Sequence, residues 1–256
     1  MNQMLNLDEK VAFSIANSIW YRLGFEVLPD FIQTNEDFFD AAVREVSFSD
    51  PATLDLINGW IEEKTNDKIQ DMLDYIPGNA VMYLINAIYF NAPWKYEFDK
   101  SETYQGDFQL EDGNTHEVEY MRVSGNFQDS SYEDFTAVEL PYGDSAFSMV
   151  VMLPSHGNSI SDMVSVLDIA KWDLWFESSS YTGVQIDLPK FKYDFKSLLN
   201  DPLTELGLGE AFTPEADFSR ITPSTDIWIS RVIHQTFIDV QEEGTEAAAA
   251  TIVEMV

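Results

Sequence analysis

The chain has no cysteine, which removes disulfides, thiolate metal sites and cysteine nucleophiles from consideration. It is also short of positive charge: 14 lysines and arginines stand against 45 aspartates and glutamates, a formal net charge of -31. Such a surface repels phosphate backbones and anionic lipid headgroups over most of its area, so neither nucleic acid nor a membrane surface is expected as a partner. No apolar run approaches the length of a membrane span, and the opening MNQMLNLDEK lacks the basic region and apolar segment of a signal peptide. Absence of cysteine does not name a compartment, because many secreted domains of this size carry no bridge.

What is present is enough apolar material for a large core. Of the 256 residues 45% are hydrophobic and 14% aromatic, which argues for one large folded domain instead of a disordered chain. The acids are scattered and not blocked, as on a solvated, highly soluble face. No internal repeat, low-complexity segment or linker divides the chain.

VAFSIANSIWYR places Phe13, Ile15, Ile19 and Tyr21 on a buried strand. LPDFIQTNEDFFDA predicts a short helix and AVREVSF another strand. SDP at Ser49 to Pro51 is a helix start, a capping side chain followed by a proline whose missing donor costs nothing in the first turn. The helix beyond it is expected to be long, with Leu54, Ile57, Ile61, Ile69, Met72 and Leu73 on one stripe and Glu62, Glu63, Asp67 and Asp71 toward water. AVMYLINAIYF, continuously apolar, predicts a strand covered on both faces. SAFSMVVMLP and GVQIDLPKF are further strands, SLLNDPLTELGLGEAF holds a short helix closed by glycine, and DIWISRVIHQTFIDV is the last long strand. Strands and helices mix without strict alternation, which predicts an α+β fold with large, mostly antiparallel sheets.

Motifs for turnover chemistry fail on inspection. GLGEAF trails a helix and lacks the dinucleotide fingerprint. HEVE, His116 to Glu119, has the H-x-E spacing of zinc deaminases without the cysteine ligands they need. His156 and His234 are isolated, no H-E-x-x-H occurs, and no serine sits in G-x-S-x-G. Carboxylate pairs abound by chance in so acidic a chain, so a glycosidase has no positive support. No metal or cofactor is expected.

One decamer stands apart: EEGTEAAAAT, Glu242 to Thr251. Val232 to Val240 alternate as a strand, QEEG offers a turn, and Thr245 to Val256 could return antiparallel as a hairpin. One face of that second strand would carry Thr245, Ala247, Ala249, Thr251, Val253 and Met255, small or apolar throughout. The other would carry Glu246, Ala248, Ala250, Ile252, Glu254 and Val256, and with them all the charge. The first face is therefore expected to be the one that packs. Alanine lacks strand propensity, so an alanine-rich helix start or a disordered tail competes with the hairpin on the decamer alone.

The decamer closely resembles the hinge of the reactive loop in inhibitory serpins. The similarity continues through NAIYFNAPWKYEFDKSET (Asn86 to Thr103), ELPYGDSAFSMVVMLP (Glu139 to Pro154), DLPKFKYDF (Asp187 to Phe195) and ITPSTDIWISRVIHQTFIDV (Ile221 to Val240), in the family's order. It implies a suicide substrate and not an enzyme: a serine or cysteine protease cuts the exposed loop, is held as an acyl-enzyme, and is displaced when the loop enters the main sheet as a new strand. Within the hinge it covers Glu242, Glu243, Gly244, Thr245, Glu246, Ala247, Ala248, Ala249, Ala250 and Thr251. Asn86 and His234 match the polar pair of the shutter beneath the sheet, Trp94 matches the tryptophan of the breach where insertion begins, and Phe98 and Thr103 look like packing and turn positions. The alternative from another class is a non-inhibitory serpin acting as a chaperone, carrier or storage protein.

The resemblance also implies what lies outside the 256 residues. The family's first helices and closing strands find no match, so residues 1–256 are expected to form a single incomplete serpin domain, with 241–256 the hinge and proximal loop and the scissile bond beyond Val256. By itself such a chain should leave apolar sheet surface and strand edges open. The complete protein is expected to be monomeric, to have a protease as its partner, and on family grounds to be extracellular or periplasmic.

Overall fold

In the computed structural model, residues 5–155, 157–223 and 226–256 are described. The chain runs β1 (Ala12–Arg22), α1 (Pro29–Phe39), β2 (Ala41–Val46), α2 (Ala52–Lys64), β3 (Met82–Pro93), β4 (Tyr104–Gln109), β5 (Thr115–Ser131), β6 (Phe135–Tyr142) and β7 (Phe147–Pro154). It continues through α3 (Ile160–Val166), α4 (Ile169–Ser178), β8 (Ser180–Pro189), β9 (Phe191–Leu198), α5 (Asn200–Leu203), β10 (Ile229–Val240) and β11 (Gly244–Met255).

A six-stranded main sheet has the order β2-β1-β3-β11-β10-β9. Every pairing in it is antiparallel except β1 with β2, which α1 connects as a crossover. The second sheet runs β4-β5-β6-β7, with β8 also paired to β5. The α+β architecture with large, mostly antiparallel sheets is the expected one.

Three apolar clusters hold the main sheet, one of them packing Ile19, Met82 and Met255 with Ile227 at the end away from the β10–β11 turn. Beneath α2, Ile57, Trp60 and Ile61 pack with Trp20, Tyr83, Ile85, Ala87 and Phe237. Between the two sheets, Ala92, Trp94 and Val240 pack with Phe127, Leu140 and Tyr142. β3 is therefore covered on neither face along its whole length, and on the α2 face burial ends at Ala87. Tyr83, Ile85 and Ala87 are buried, whereas Leu84, Asn86 and Ile88 are half-buried, because α2 lies over one face and the second sheet reaches only the Phe90–Ala92 end of the other.

α2 begins as the SDP signal requires, with the Asp50 carboxylate accepting the Ala52 N–H at 3.0 Å. It is shorter than the apolar stripe suggested. Asn66 and Asp67 adopt left-handed φ values of 51° and 62° and end the helix, after Thr65 Oγ1 has donated back to the Ile61 carbonyl at 2.8 Å. Ile69, Met72 and Leu73 remain fully buried, but on an irregular segment that runs along the sheet. Apolar spacing recorded their burial and not their backbone.

Candidate functional site

The hairpin of β10 and β11 places the decamer in the middle of the main sheet. Gln241 and Gly244 exchange backbone hydrogen bonds of 3.0 and 3.2 Å to close the turn. From Gly244 to Met255 the strand pairs on one side with β3 and on the other with β10. An alanine-rich segment holds this conformation because neighbours on both sides satisfy its backbone, which outweighs weak strand propensity.

Trp94 anchors the turn. Its indole N–H donates to the Gln241 carbonyl at 2.8 Å, its backbone N–H donates to Glu243 at 2.9 Å, and its ring stacks on Tyr142 with centroids 4.4 Å apart. Phe98 meets that ring edge-on and donates its backbone N–H to the Glu242 carbonyl at 3.1 Å. The buried Glu242 carboxylate accepts from Thr103 Oγ1 at 2.8 Å and pairs with Lys190 at 3.2 Å. Burial pushes this carboxyl upward, but the Thr103 hydroxyl and the Lys190 ammonium outweigh it and hold the group below its ordinary value. Glu243, at the exposed tip, pairs with Lys100. At Gly244 a Cβ would lie 2.1 Å from the Ala92 carbonyl oxygen, so only glycine fits.

The two faces of β11 differ from the expectation. Thr245 and Met255 on the first face are buried, but Ala247, Ala249, Thr251 and Val253 are only half-buried. Ala248, Ala250, Ile252 and Glu254 on the other face are the buried set, because α2 and the segment after it lie over them. The charge on that face is not left to solvent. Glu246 pairs with Lys68 at 2.7 Å and accepts from the Tyr89 hydroxyl at 2.7 Å, and Glu254 pairs with Arg231 at 2.8 Å. Alternation alone could not show this, since Lys68 and Arg231 arrive from other elements.

Asn86 and His234 lie in one row across the sheet, but they do not touch. Thr251 of β11 stands between them, in register with both, and its hydroxyl is 2.8 Å from His234 Nδ1. Asn86 donates instead to Asn17 Oδ1 at 2.9 Å. Each polar group thus finds a partner, though not the one expected. His116 is exposed on β5, and His156 lies outside the described residues. Among the described residues no cluster of three or more His, Cys, Asp or Glu could hold a metal ion.

Residues missed in the sequence are those facing the strand from elsewhere: Tyr142, Lys190, Lys68, Tyr89, Tyr83, Ser230 and Arg231. Tyr83 and Tyr89 carried a usable signal, sharing one strand face at even spacing. The cations carried none.

The family model described as Serpin (serine protease inhibitor) matches residues 1–256. The chain belongs to the serpin family. A serpin-like protein of Methanosarcina acetivorans is 38% identical over 254 residues, which cover 94% of this chain and 57% of that protein. This serpin chain thus spans little more than half the length of that curated relative. Among solved structures, reaction-loop-cleaved lamprey angiotensinogen superimposes with a TM-score of 0.93 at 26% identity, covering 100% of this chain and 78% of its own. Tengpin, a thermophilic serpin in the latent state, gives 0.89 at 35% identity, covering 98% and 70%. Among the described residues no helix is long and apolar enough to cross a membrane.

Proposed function

We propose that the full-length protein inhibits a serine or cysteine protease by inserting its cleaved reactive loop into the main sheet. The observation that carries this reading is β11 itself, a strand of small residues bonded on both sides within a six-stranded sheet. Between Thr245 and Val253 its first face holds nothing larger than valine and no charge, so that face can enter a sheet without stranding an ion. Glu242 to Thr251 act as the hinge, Trp94 holds the point of entry, and Asn86 and His234 flank the gap that Thr251 fills. The protease serine or cysteine attacks the scissile carbonyl, the peptide C–N bond breaks with the downstream segment leaving as an amine, and insertion carries the resulting ester or thioester away before water can release it.

The test is incubation of the full-length protein with a panel of proteases, followed by boiling in detergent and electrophoresis. A protease-sized upward shift of the inhibitor band is expected. Reversible inhibition without that band would sink the proposal. The second reading is a non-inhibitory serpin with a chaperone, carrier or storage role, since membership of the family does not by itself make a serpin an inhibitor. Cleavage of the loop with no inhibition of any protease tested would favour it.

A further inference from the structure

The poly-alanine stretch of β11 raises a problem of register. Residues Ala247 to Ala250 present only methyl groups, and a slip of two residues along the strand would keep each face where it is. The Gln241–Gly244 turn sets the register where the strand enters, and the far end needs a lock of its own. Two carboxylates stand on the buried face, Glu246 near the start and Glu254 near the end, separated by about 26 Å of extended chain.

Each meets a cation and a tyrosine of β3. Glu246, partly open to water, meets Lys68 and Tyr89. Glu254 is only 2% exposed and meets a denser set. The Tyr83 hydroxyl donates to its Oε2 at 2.7 Å, Arg231 Nη2 donates to the same oxygen at 2.8 Å, and Ser230 Oγ donates to Oε1 at 2.6 Å. Ser230 Oγ also lies 3.2 Å from the Glu254 carbonyl oxygen. Tyr75 covers the guanidinium from outside, its ring 4.7 Å away and its carbonyl 3.1 Å from Nη2.

We propose that Arg231, Tyr83 and Ser230 form a built carboxylate-binding site whose ligand is Glu254 of the chain's own inserting strand, and that this site senses complete, correctly registered insertion. The inference rests on the insertion reading above. With β11 out of the sheet, Glu254 leaves with it, and the guanidinium keeps only the Tyr75 carbonyl and ring as partners from this set. A strand inserted two residues short or long brings Ile252 or Val256 toward Arg231, leaving a half-buried cation without its carboxylate. Insertion that stops early engages Lys68 and Tyr89 alone. The first site therefore receives the strand, and the second holds it only in the final register.

The test is a double-mutant cycle on the full-length protein, comparing thermal unfolding before and after limited proteolysis of the loop. In the cleaved protein, Glu254→Gln and Arg231→Met should each lower the midpoint by roughly 3–6 °C, and the double variant should lose far less than the sum. In the uncleaved protein, Glu254→Gln should leave the midpoint unchanged. Glu254→Gln alone carries the test should Arg231→Met not fold, because its effect must appear only after cleavage. Additive losses, or equal shifts in both forms, would overturn the site while leaving insertion intact. A wild-type midpoint that does not rise on cleavage would overturn insertion itself.

Discussion

Tyr142, on the second sheet, donates a 2.7 Å hydrogen bond to Thr245 Oγ1 at the start of β11, and both residues are buried. The bond ties the start of β11 to the layer between the sheets, where Trp94 stacks on the same tyrosine. An arginine at position 245 would bring an unpaired ion into that layer at an effective cost of several kcal/mol. Thr245→Arg should therefore slow insertion without altering first recognition, so that the acyl-enzyme hydrolyses and active protease is released. Moles of inhibitor consumed per mole of protease silenced should rise steeply for this variant. Glu246→Arg should raise the ratio too, because it exchanges an ion pair for a second cation against Lys68 on a half-buried face, and Glu246→Gln should raise it less, since Tyr89 can still donate to it. No rise for Thr245→Arg would refute the placement of this residue at the entry point.

The opposite face of β11, which carries Glu246, predicts a pH dependence. Burial pushes the Glu246 carboxyl up, but the Lys68 ammonium and the Tyr89 hydroxyl hold it below its ordinary value. A depressed carboxyl contributes stability that is present above its unfolded value and lost as pH falls through its folded one. Lys68 is raised, through its bond to Glu246, so its contribution persists at all pH below the ordinary lysine value. The loop-inserted form should accordingly lose stability on acidification through the carboxylate range and not on mild alkalinisation. Unfolding midpoints of wild type and Glu246→Gln should converge as pH falls; parallel curves would count against a role for this pair.

Much of the fold was legible because strand alternation and turn residues are local. The hairpin from Val232 to Val256 followed from QEEG and the apolar spacing, and the start of α2 from SDP. The end of α2 was not legible, because burial of Ile69, Met72 and Leu73 fits an irregular segment as well as a helix until the left-handed Asn66 and Asp67 are seen. The packed face of β11 was misjudged for a different reason. Charge on a strand face marks solvent only where no cation from another element meets it, and Lys68 and Arg231 do meet it. The resemblance names Asn86 and His234 as a polar pair, yet the strand that separates them is visible only once the sheet is paired.

Trp94 offers a separable test of the turn. Trp94→Phe keeps an aromatic ring against Tyr142 but removes the donor to the Gln241 carbonyl. The loss should destabilise the loop-inserted form by about 0.5–1.5 kcal/mol, the net worth of one hydrogen bond, because the Gln241 carbonyl keeps the Gly244 N–H. Denaturant unfolding of the cleaved protein checks this, and a change of less than a few tenths of a kcal/mol would show that the indole N–H is dispensable.

Gly244 allows the inserted and expelled states to be distinguished by one methyl group. Its φ is not in the left-handed region that favours glycine, so nothing in its backbone conformation forbids alanine. The obstacle is space, because the added Cβ would lie 2.1 Å from the Ala92 carbonyl oxygen and 2.8 Å from Pro93 Cα, both backbone atoms that cannot swing aside. That contact exists only while β11 is paired with β3. With the strand expelled, the substitution removes chain entropy and should be neutral or stabilising by about 0.4–1 kcal/mol. With the strand inserted, overpacking should cost about 1–3 kcal/mol. Gly244→Ala should thus narrow the gap in unfolding midpoint between uncleaved and loop-cleaved protein from both sides. A gap that stays at its wild-type width would mean that the turn adopts another path when the loop inserts.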